Sequence, residues 1–201
     1  NNAYDELLTL RDWVRFGASL FNANNLYFGH GTDNAWDEAV SLVLFALHLP
    51  PDSHANILDA RLTHREKQAI GELFELRIEK RLPAPYITHE AWFAGLKFYV
   101  DEAVLVPRSS FGELIEKRFN PWIEPEKTHH VLDLCTESGC IAIATAFAFP
   151  NAQIDAVDIS QDALAIAKKN VRHYGLENQV RLICSNLWSN LKGKKYDLIL
   201  S

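Results

Sequence analysis

Hydrophobic residues recur with one spacing in the first part of the chain and with another in the rest. Up to Leu82 the apolar positions repeat every three or four residues, which is the spacing of one buried face of an α-helix. After Pro83 they fall into short runs separated by turn residues, a pattern typical of strands. We therefore predict a helical domain over residues 1–82, a linker over 83–110 and an α/β domain over 111–201.

Three helices are expected in the first domain. The first two are predicted around residues 7–21 and 35–49, and the third from Thr63 to about Arg81. Thr63 and Glu66 have the spacing of a capping box, in which each side chain accepts a hydrogen bond from the backbone N–H of the other residue. The third helix is therefore expected to begin directly after Thr63.

The linker carries two short runs of β-prone residues, 97–100 and 103–106. We predict that they pair as a hairpin with its turn at 101–102. A helix is expected to follow, beginning near Ser109 or Ser110.

From His129 onward, predicted strands alternate with predicted helices. The strands are expected at 130–134, 153–158, 180–184 and 196–200, and the helices between them at 141–149 and 162–174. This alternation predicts an α/β fold with a parallel sheet and helices on both faces. Ligands of such sheets bind beyond the carboxyl ends of the strands.

The composition predicts a folded protein without a membrane span or a signal peptide. The chain has 201 residues, of which 48% are hydrophobic and 23% charged, as in ordinary soluble proteins. The longest apolar run, 40–49, is too short to cross a membrane, and the polar start predicts no signal peptide, so a cytoplasmic protein is expected. Three cysteines without CxxC spacing predict reduced thiols and no metal site.

The charge argues against direct binding to duplex nucleic acid, which requires clustered Lys and Arg. The formal net charge is −6, and residues 1–82 carry 12 acidic and 8 basic side chains, a net of −4. An acidic first domain favours a basic protein partner, although a solvated acidic surface would give the same pattern.

The first strand of the α/β domain leads into a turn of small and polar residues that ends at Gly139. Such a turn offers backbone N–H groups and a helix N-terminus to a cofactor. Asp158 ends the next strand, where a carboxylate can accept both ribose hydroxyls of an adenosine; a helix cap is the alternative role. After the third strand, Asn186 could contact an adenine, with Leu187 beside it.

Several segments resemble motifs of the protein-glutamine methyltransferases, which modify the side-chain amide of glutamine. Residues 133–142 are similar to the first cofactor motif of that family, and residues 104–115 are similar to its inter-domain signature. The variant Pro107-Arg108-Ser109 resembles the branch that acts on the third protein of the large ribosomal subunit, a basic ribosomal protein. Residues 27–39 and 91–95 resemble the same branch, so the resemblance covers essentially the whole chain.

The resemblance implies a class I, Rossmann-like methyltransferase sheet, a preceding helical domain for substrate recognition, a β-hairpin link and S-adenosylmethionine as cofactor. It also implies that a turn surrounds the methionine end of the cofactor, that Asp158 binds its ribose and that Asn186 and Leu187 lie beside its adenine. The implied cofactor-binding residues are Asp133, Cys135, Thr136, Glu137, Ser138, Gly139, Asp158, Asn186 and Leu187.

In this family an Asn-Pro-Pro-Tyr loop follows directly after the position of Ser201. That loop accepts the two amide hydrogens of the substrate and aims its nitrogen at the methyl group. The 201 residues do not contain it. We therefore assign no catalytic residue, expect an incomplete sheet, and expect this chain to bind the cofactor without methylating glutamine by itself.

Two residues depart from the family pattern in the cofactor motifs. Glu137 stands where the family has glycine, so a positive φ there would cost about 1–2 kcal/mol, and its carboxylate would repel the carboxylate of the cofactor. Asn186 replaces an aspartate but keeps an acceptor for the adenine amino group. Alternatives to the leading hypothesis are a methyltransferase of peptide-chain release factors and a non-catalytic cofactor-binding or ribosome-associated module.

Overall fold

The computed structural model describes residues 3–29 and 31–201. Contacts within the chain group it into two units, Asn1–Thr88 and His89–Ser201. In the described part of the chain, no helix combines the length and the apolar character needed to cross a membrane.

The first unit is helical. Its α-helices are α1 (Ala3–Glu6), α2 (Leu10–Ala23), α3 (Ala35–Ala46), α4 (His64–Lys80) and α5 (Ala84–Thr88), with a 3₁₀ helix at Ala55–Asp59. The predicted capping box is confirmed: the side chain of Thr63 accepts from the N–H of Glu66, and the carboxylate of Glu66 accepts the N–H of Thr63 at 2.7 Å.

A buried ion pair holds the loop between α2 and α3. Glu38 on α3 and Arg77 on α4 are 3% and 2% exposed and form a salt bridge. The other oxygen of Glu38 accepts the hydroxyl of Thr32 at 3.0 Å, and Nη2 of Arg77 donates to the carbonyl of Tyr27 at 2.9 Å. Both charges are thus paired and further hydrogen-bonded, the condition under which buried charges are tolerated.

The second unit begins with a hairpin in a different place from the predicted one. Strand β1 (Glu90–Phe93) pairs antiparallel with β2 (Leu96–Tyr99), so the turn lies at Ala94 and Gly95 and not at 101–102. Both turn residues have positive φ, +48° and +75°, as a two-residue hairpin turn requires. Residues 103–106 form no strand.

Helices and strands alternate through the rest of the unit. They are α6 (Phe111–Glu116), a 3₁₀ helix at Pro125–Lys127, β3 (His130–Leu134), α7 (Cys140–Ala148), β4 (Gln153–Asp158), α8 (Gln161–His173), β5 (Val180–Cys184) and β6 (Leu198–Leu200). The four strands β3 to β6 form a parallel sheet in the order β5-β4-β3-β6. The predicted α/β fold with a parallel sheet is confirmed.

The expectation of helices on both faces is wrong for this part of the sheet. Helices α7 and α8 touch each other and the strands on one face, because two right-handed crossovers in the same direction place their helices on the same side. On the other face, Leu132 and Val157 pack against Leu191 and Tyr196 from the β5–β6 connection, and residues 185–197 contain no helix.

Helix α8 ties the hairpin to the sheet through two side chains one turn apart. The amide of buried Asn170 accepts the N–H of Tyr99 at 2.8 Å and donates to its carbonyl at 3.0 Å. The hydroxyl of Tyr174 accepts the N–H of Lys97 at 2.9 Å and donates to its carbonyl at 2.7 Å. The Asn170 amide also donates to the carbonyl of Ser138 at 2.8 Å, which links the hairpin to the turn after β3.

Candidate functional site

The carboxyl ends of β3 and β4 bring the predicted turn and the predicted ribose carboxylate together. The turn runs from Cys135 to Gly139, and its Glu137 N–H donates to Oδ2 of Asp158 at 2.9 Å. The N–H of Thr136 donates to the carbonyl of Val157 at 2.9 Å. Because β3 and β4 pair in parallel, the residues that follow β3 lie beside those at the end of β4, about twenty positions later in the sequence.

Both the backbone conformation and the close approach of a neighbouring side chain favour glycine at position 139. Its φ is +79°, in the left-handed region that favours glycine. A Cβ at this position would lie 3.2 Å from Cβ of Ala167 on α8. Gly139 thus allows α7 to start close against α8, and its role is explained by packing before any ligand is considered.

Asp133 lies one residue before the end of β3 and is 1% exposed. Its Oδ2 accepts the hydroxyl of Thr136 at 2.5 Å and the N–H of Ala142, in the first turn of α7, at 3.1 Å. Its Oδ1 is buried and has no hydrogen-bond partner among the described residues. Burial, together with the charges of Asp158 and Glu137, raises the pKa of Asp133 to about 7, although the two hydrogen bonds act to lower it.

Glu137 has a φ of +48°, so the condition for backbone strain at this position is met. Its side chain is half-buried, and Oε2 accepts the backbone N–H of Leu105 at 2.7 Å. The carboxylate is therefore directed to a neighbouring segment of the chain.

Asp158 already accepts two backbone hydrogen bonds, from Glu137 and, at Oδ1, from Ser160 at 2.9 Å. Ser160 itself caps α8, accepting the N–H of Ala163 at 3.1 Å. The cap of α8 is thus supplied by Ser160, while the carboxylate of Asp158 braces the turn. Each Asp158 oxygen retains acceptor capacity beyond these bonds.

The third strand end carries Asn186 and Leu187, both exposed, with Leu187 at a φ of +47°. Ile159, which directly follows Asp158 and is 67% exposed, was not predicted as a site residue. Ile159 and Leu187 follow the ends of the adjacent strands β4 and β5, at the edge that carries Asp158, and we refer to these two exposed residues as the apolar rim. The signal available in the sequence was an apolar residue directly after a strand-end carboxylate.

Negative charge converges on this edge of the sheet. Burial raises the pKa of the Cys135 thiol, and the carboxylates of Asp158, Asp133 and Glu137 raise it further. A hydrogen bond with Ser201, the residue after β6, acts in the opposite direction. The edge is therefore electrostatically suited to a ligand with positive charge.

Comparison with known proteins places the chain in a family. Residues 118–201 match the model of the methyltransferase small domain. A ribosomal protein uL3 glutamine methyltransferase of Bordetella pertussis is 49% identical over 201 residues, covering 100% of this chain and 67% of that protein. A protein of the same name from Neisseria gonorrhoeae is 52% identical over 202 residues, covering 100% of this chain and 67% of the relative.

Among solved structures, the ribosomal protein L11 methylase of Lactobacillus delbrueckii subsp. bulgaricus matches with a TM-score of 0.40 and 26% identity, over 50% of this chain and 49% of that one. The chain spans about two thirds of the length of the curated relatives it matches. Their identity over its full length confirms the resemblance found in the sequence motifs. The chain belongs to the family of the ribosomal protein uL3 glutamine methyltransferases.

Proposed function

We propose that this chain binds S-adenosylmethionine at the carboxyl edge of its sheet, as part of a protein that methylates a glutamine side-chain amide of ribosomal protein uL3. The substrate is the one named for its relatives. The observation that carries the proposal is the convergence of Asp133, Glu137 and Asp158 on one turn.

The charge of the cofactor fits this edge. S-adenosylmethionine carries a sulfonium, an ammonium and one carboxylate, so it is positive overall and is attracted by the three carboxylates. Among the described residues Oδ1 of Asp133 has no partner, so it is a buried acceptor at the turn that a donor of the ligand can satisfy. The residues present therefore fit the cofactor.

Each residue has a defined task in this proposal. The turn from Cys135 to Gly139 surrounds the methionine end, and Asp133 provides the acceptor for its ammonium group. Asp158 accepts the ribose hydroxyls with the lone pairs that Glu137 and Ser160 leave free. Ile159 and Leu187 cover the adenine faces, and Asn186 accepts from its amino group.

When bound, S-adenosylmethionine supplies the methyl group from its sulfonium. The contribution of this chain is to hold and orient the donor. Asp158 is fixed by two backbone N–H groups before any ligand arrives, so little side-chain freedom is lost on binding. The apolar rim excludes water from the adenine.

The helical unit is the part we assign to substrate recognition. Its net charge of −4 over residues 1–82 complements a basic protein of the large ribosomal subunit. From such a substrate we infer a cytoplasmic location, and the net charge of −6 argues against direct binding to a nucleic acid duplex.

Calorimetric titration of the 201-residue chain with S-adenosylmethionine tests the cofactor assignment. We expect saturable binding that weakens as salt screens the carboxylates. Absence of binding at millimolar cofactor would refute the assignment.

The substrate is tested by mass spectrometry of purified uL3 after incubation with the cofactor and the whole protein to which this chain belongs. A single methyl group on a glutamine is expected. Methylation of a peptide-chain release factor in place of uL3 would overturn the substrate assignment and leave the cofactor assignment intact.

A further inference from the structure

A carboxylate of the cofactor turn binds the segment between the hairpin and α6. Residues 104–109, which we call the strap, have no regular secondary structure. Val104 and Val106 are buried, and the side chain of Leu105 between them is 57% exposed. The backbone N–H of Leu105 donates to Oε2 of Glu137 at 2.7 Å, a short bond of the charge-assisted kind.

Glu137 is held at both of its polar ends. Its backbone N–H is bound by Asp158, and its carboxylate binds the strap. The carbonyl of the next residue, Ser138, accepts from Asn170 on α8. The backbone around Glu137 is therefore fixed, and its side chain is pointed at the strap.

We propose that Glu137 is a positioning residue that fixes the strap against the cofactor turn before the cofactor binds. A strap without this bond would lose conformational freedom at the moment of binding, which would lower the affinity. The effect on the cofactor rests on the proposed function; the effect on the strap itself does not.

This role accounts for a residue that is otherwise unfavourable at its position. Glycine would relieve the strain of a φ of +48° and would remove a negative charge, but it offers no acceptor to Leu105. Compared with glycine, Glu137 thus adds backbone strain to the turn but provides the hydrogen bond that holds the strap.

Two substitutions separate the effect of the side-chain length of Glu137 from the effect of its charge. Glu137→Gln keeps the length and an acceptor oxygen but is neutral. Glu137→Asp keeps the charge but is shorter by roughly 1.5 Å, one carbon–carbon bond, which takes the oxygen out of hydrogen-bond range of Leu105. Glu137→Ala removes both properties.

The first measurement is hydrogen exchange of the Leu105 amide by NMR, in the full 201-residue chain without cofactor. Exchange in Glu137→Gln should be moderately faster than in the original protein, because its acceptor is neutral, and it should be at least about tenfold faster in Glu137→Asp and Glu137→Ala. The amide of Leu132, in the centre of the sheet, serves as the control and should be unchanged in every variant, which shows that the fold is intact.

Equal exchange of the Leu105 amide in all four proteins would overturn the proposal, as would protection in Glu137→Asp with loss in Glu137→Gln. The latter result would mean that charge, and not reach, holds the strap.

The second measurement is calorimetric titration of the same proteins with S-adenosylhomocysteine. Glu137→Gln should bind it at least about threefold more tightly than Glu137→Ala, because only the former retains the ordered strap. Equal affinities of these two variants would overturn the effect of the strap on the cofactor. Failure of all four proteins to bind would refute the proposed function, while the exchange data would still decide the attachment of the strap.

Discussion

Both units of the molecule bury carboxylates, and Glu38 in the helical unit and Asp133 in the α/β unit have opposite surroundings. In the helical unit, Glu38 is 3% exposed and is matched by Arg77 and by the hydroxyl of Thr32. In the α/β unit, Asp133 is 1% exposed, and its Oδ1 has no partner among the described residues. No cationic side chain in the described ranges pairs with it, and its pKa is raised to about 7.

Under the proposed function, the difference separates a structural charge from one that binds a ligand. A buried charge with all of its partners fixes the elements that it connects, here α3, α4 and the loop before α3. A buried acceptor left without a donor costs stability unless something else supplies the donor. The first kind of site should therefore respond to mutation through folding, and the second through binding.

The largest effect is expected from breaking the matched pair. Arg77→Ala leaves Glu38 buried without its cation and should lower the free energy of unfolding by about 3–5 kcal/mol, measured by urea denaturation. Arg11→Ala is the control, because Arg11 pairs with Asp59 in an exposed salt bridge and its loss should change stability little. Similar stability of the two variants would show that burial does not distinguish these pairs.

Asp133→Asn should act on stability and on binding in opposite directions. Because folding raises the pKa of Asp133 to about 7, the folded state holds its proton more tightly than the unfolded state. The corresponding stability is present below the unfolded pKa of about 4 and is lost as the pH rises through about 7. The amide that Asp133→Asn introduces cannot ionise. The variant should therefore have the larger free energy of unfolding at about pH 8, and its stability should fall less than that of the original protein between about pH 4 and pH 7.

The same variant should bind S-adenosylmethionine more weakly, by about 1.5–3 kcal/mol, because the ammonium group loses an ionised acceptor. Denaturation curves at several pH values and calorimetry at about pH 8 measure the two effects. A stability decline identical to that of the original protein would mean that Asp133 does not titrate in this range.

Asp158→Ala should weaken binding of S-adenosylmethionine by roughly 1–3 kcal/mol, through loss of charge-assisted hydrogen bonds to the ribose. Asp162→Ala is a suitable control, since Asp162 is a nearby exposed carboxylate in the first turn of α8. If the two variants had the same dissociation constant, Asp158 would be removed from the site.

The smallest effect concerns the backbone of the turn. Glu137→Gly and Glu137→Ala both lose the charge and the bond to Leu105, and they differ in the cost of a φ of +48°. The glycine variant should bind S-adenosylmethionine about 1 kcal/mol more tightly than the alanine variant, a factor of about five. Equal affinities in calorimetry would indicate that the turn relaxes without penalty.

Features set by short-range signals could be predicted from the sequence. Strands β3 and β5 lie where the apolar runs placed them, and the capping box before α4 follows from two residues three positions apart. The carboxylate at the end of β4 and the turn after β3 were found because both are tied to the ends of strongly patterned elements. Residues close together in the sequence are sufficient to predict these features.

Features set by long-range contacts could not be predicted. The hairpin was misplaced because Ala94-Gly95 and Asp101-Glu102 each carry one turn-forming residue, so local turn chemistry does not decide between them. The partner of Glu137 is 32 positions away, and Asn170 bonds to Tyr99 over 71 positions. No periodicity encodes such pairs, since their geometry exists only after the sheet has assembled.

The attachment of the hairpin to α8 also bears on the behaviour of the protein at high concentration. The outer edge of a strand is a template on which the strand of another molecule can pair. On β2 the main-chain groups of Lys97 and Tyr99 are already bound by Tyr174 and Asn170. This edge is therefore closed to intermolecular pairing by side chains, without a further strand. Removing the hydroxyl of Tyr174 and the amide of Asn170, in a Tyr174→Phe/Asn170→Ala variant, should expose these main-chain groups and promote self-association detectable by light scattering.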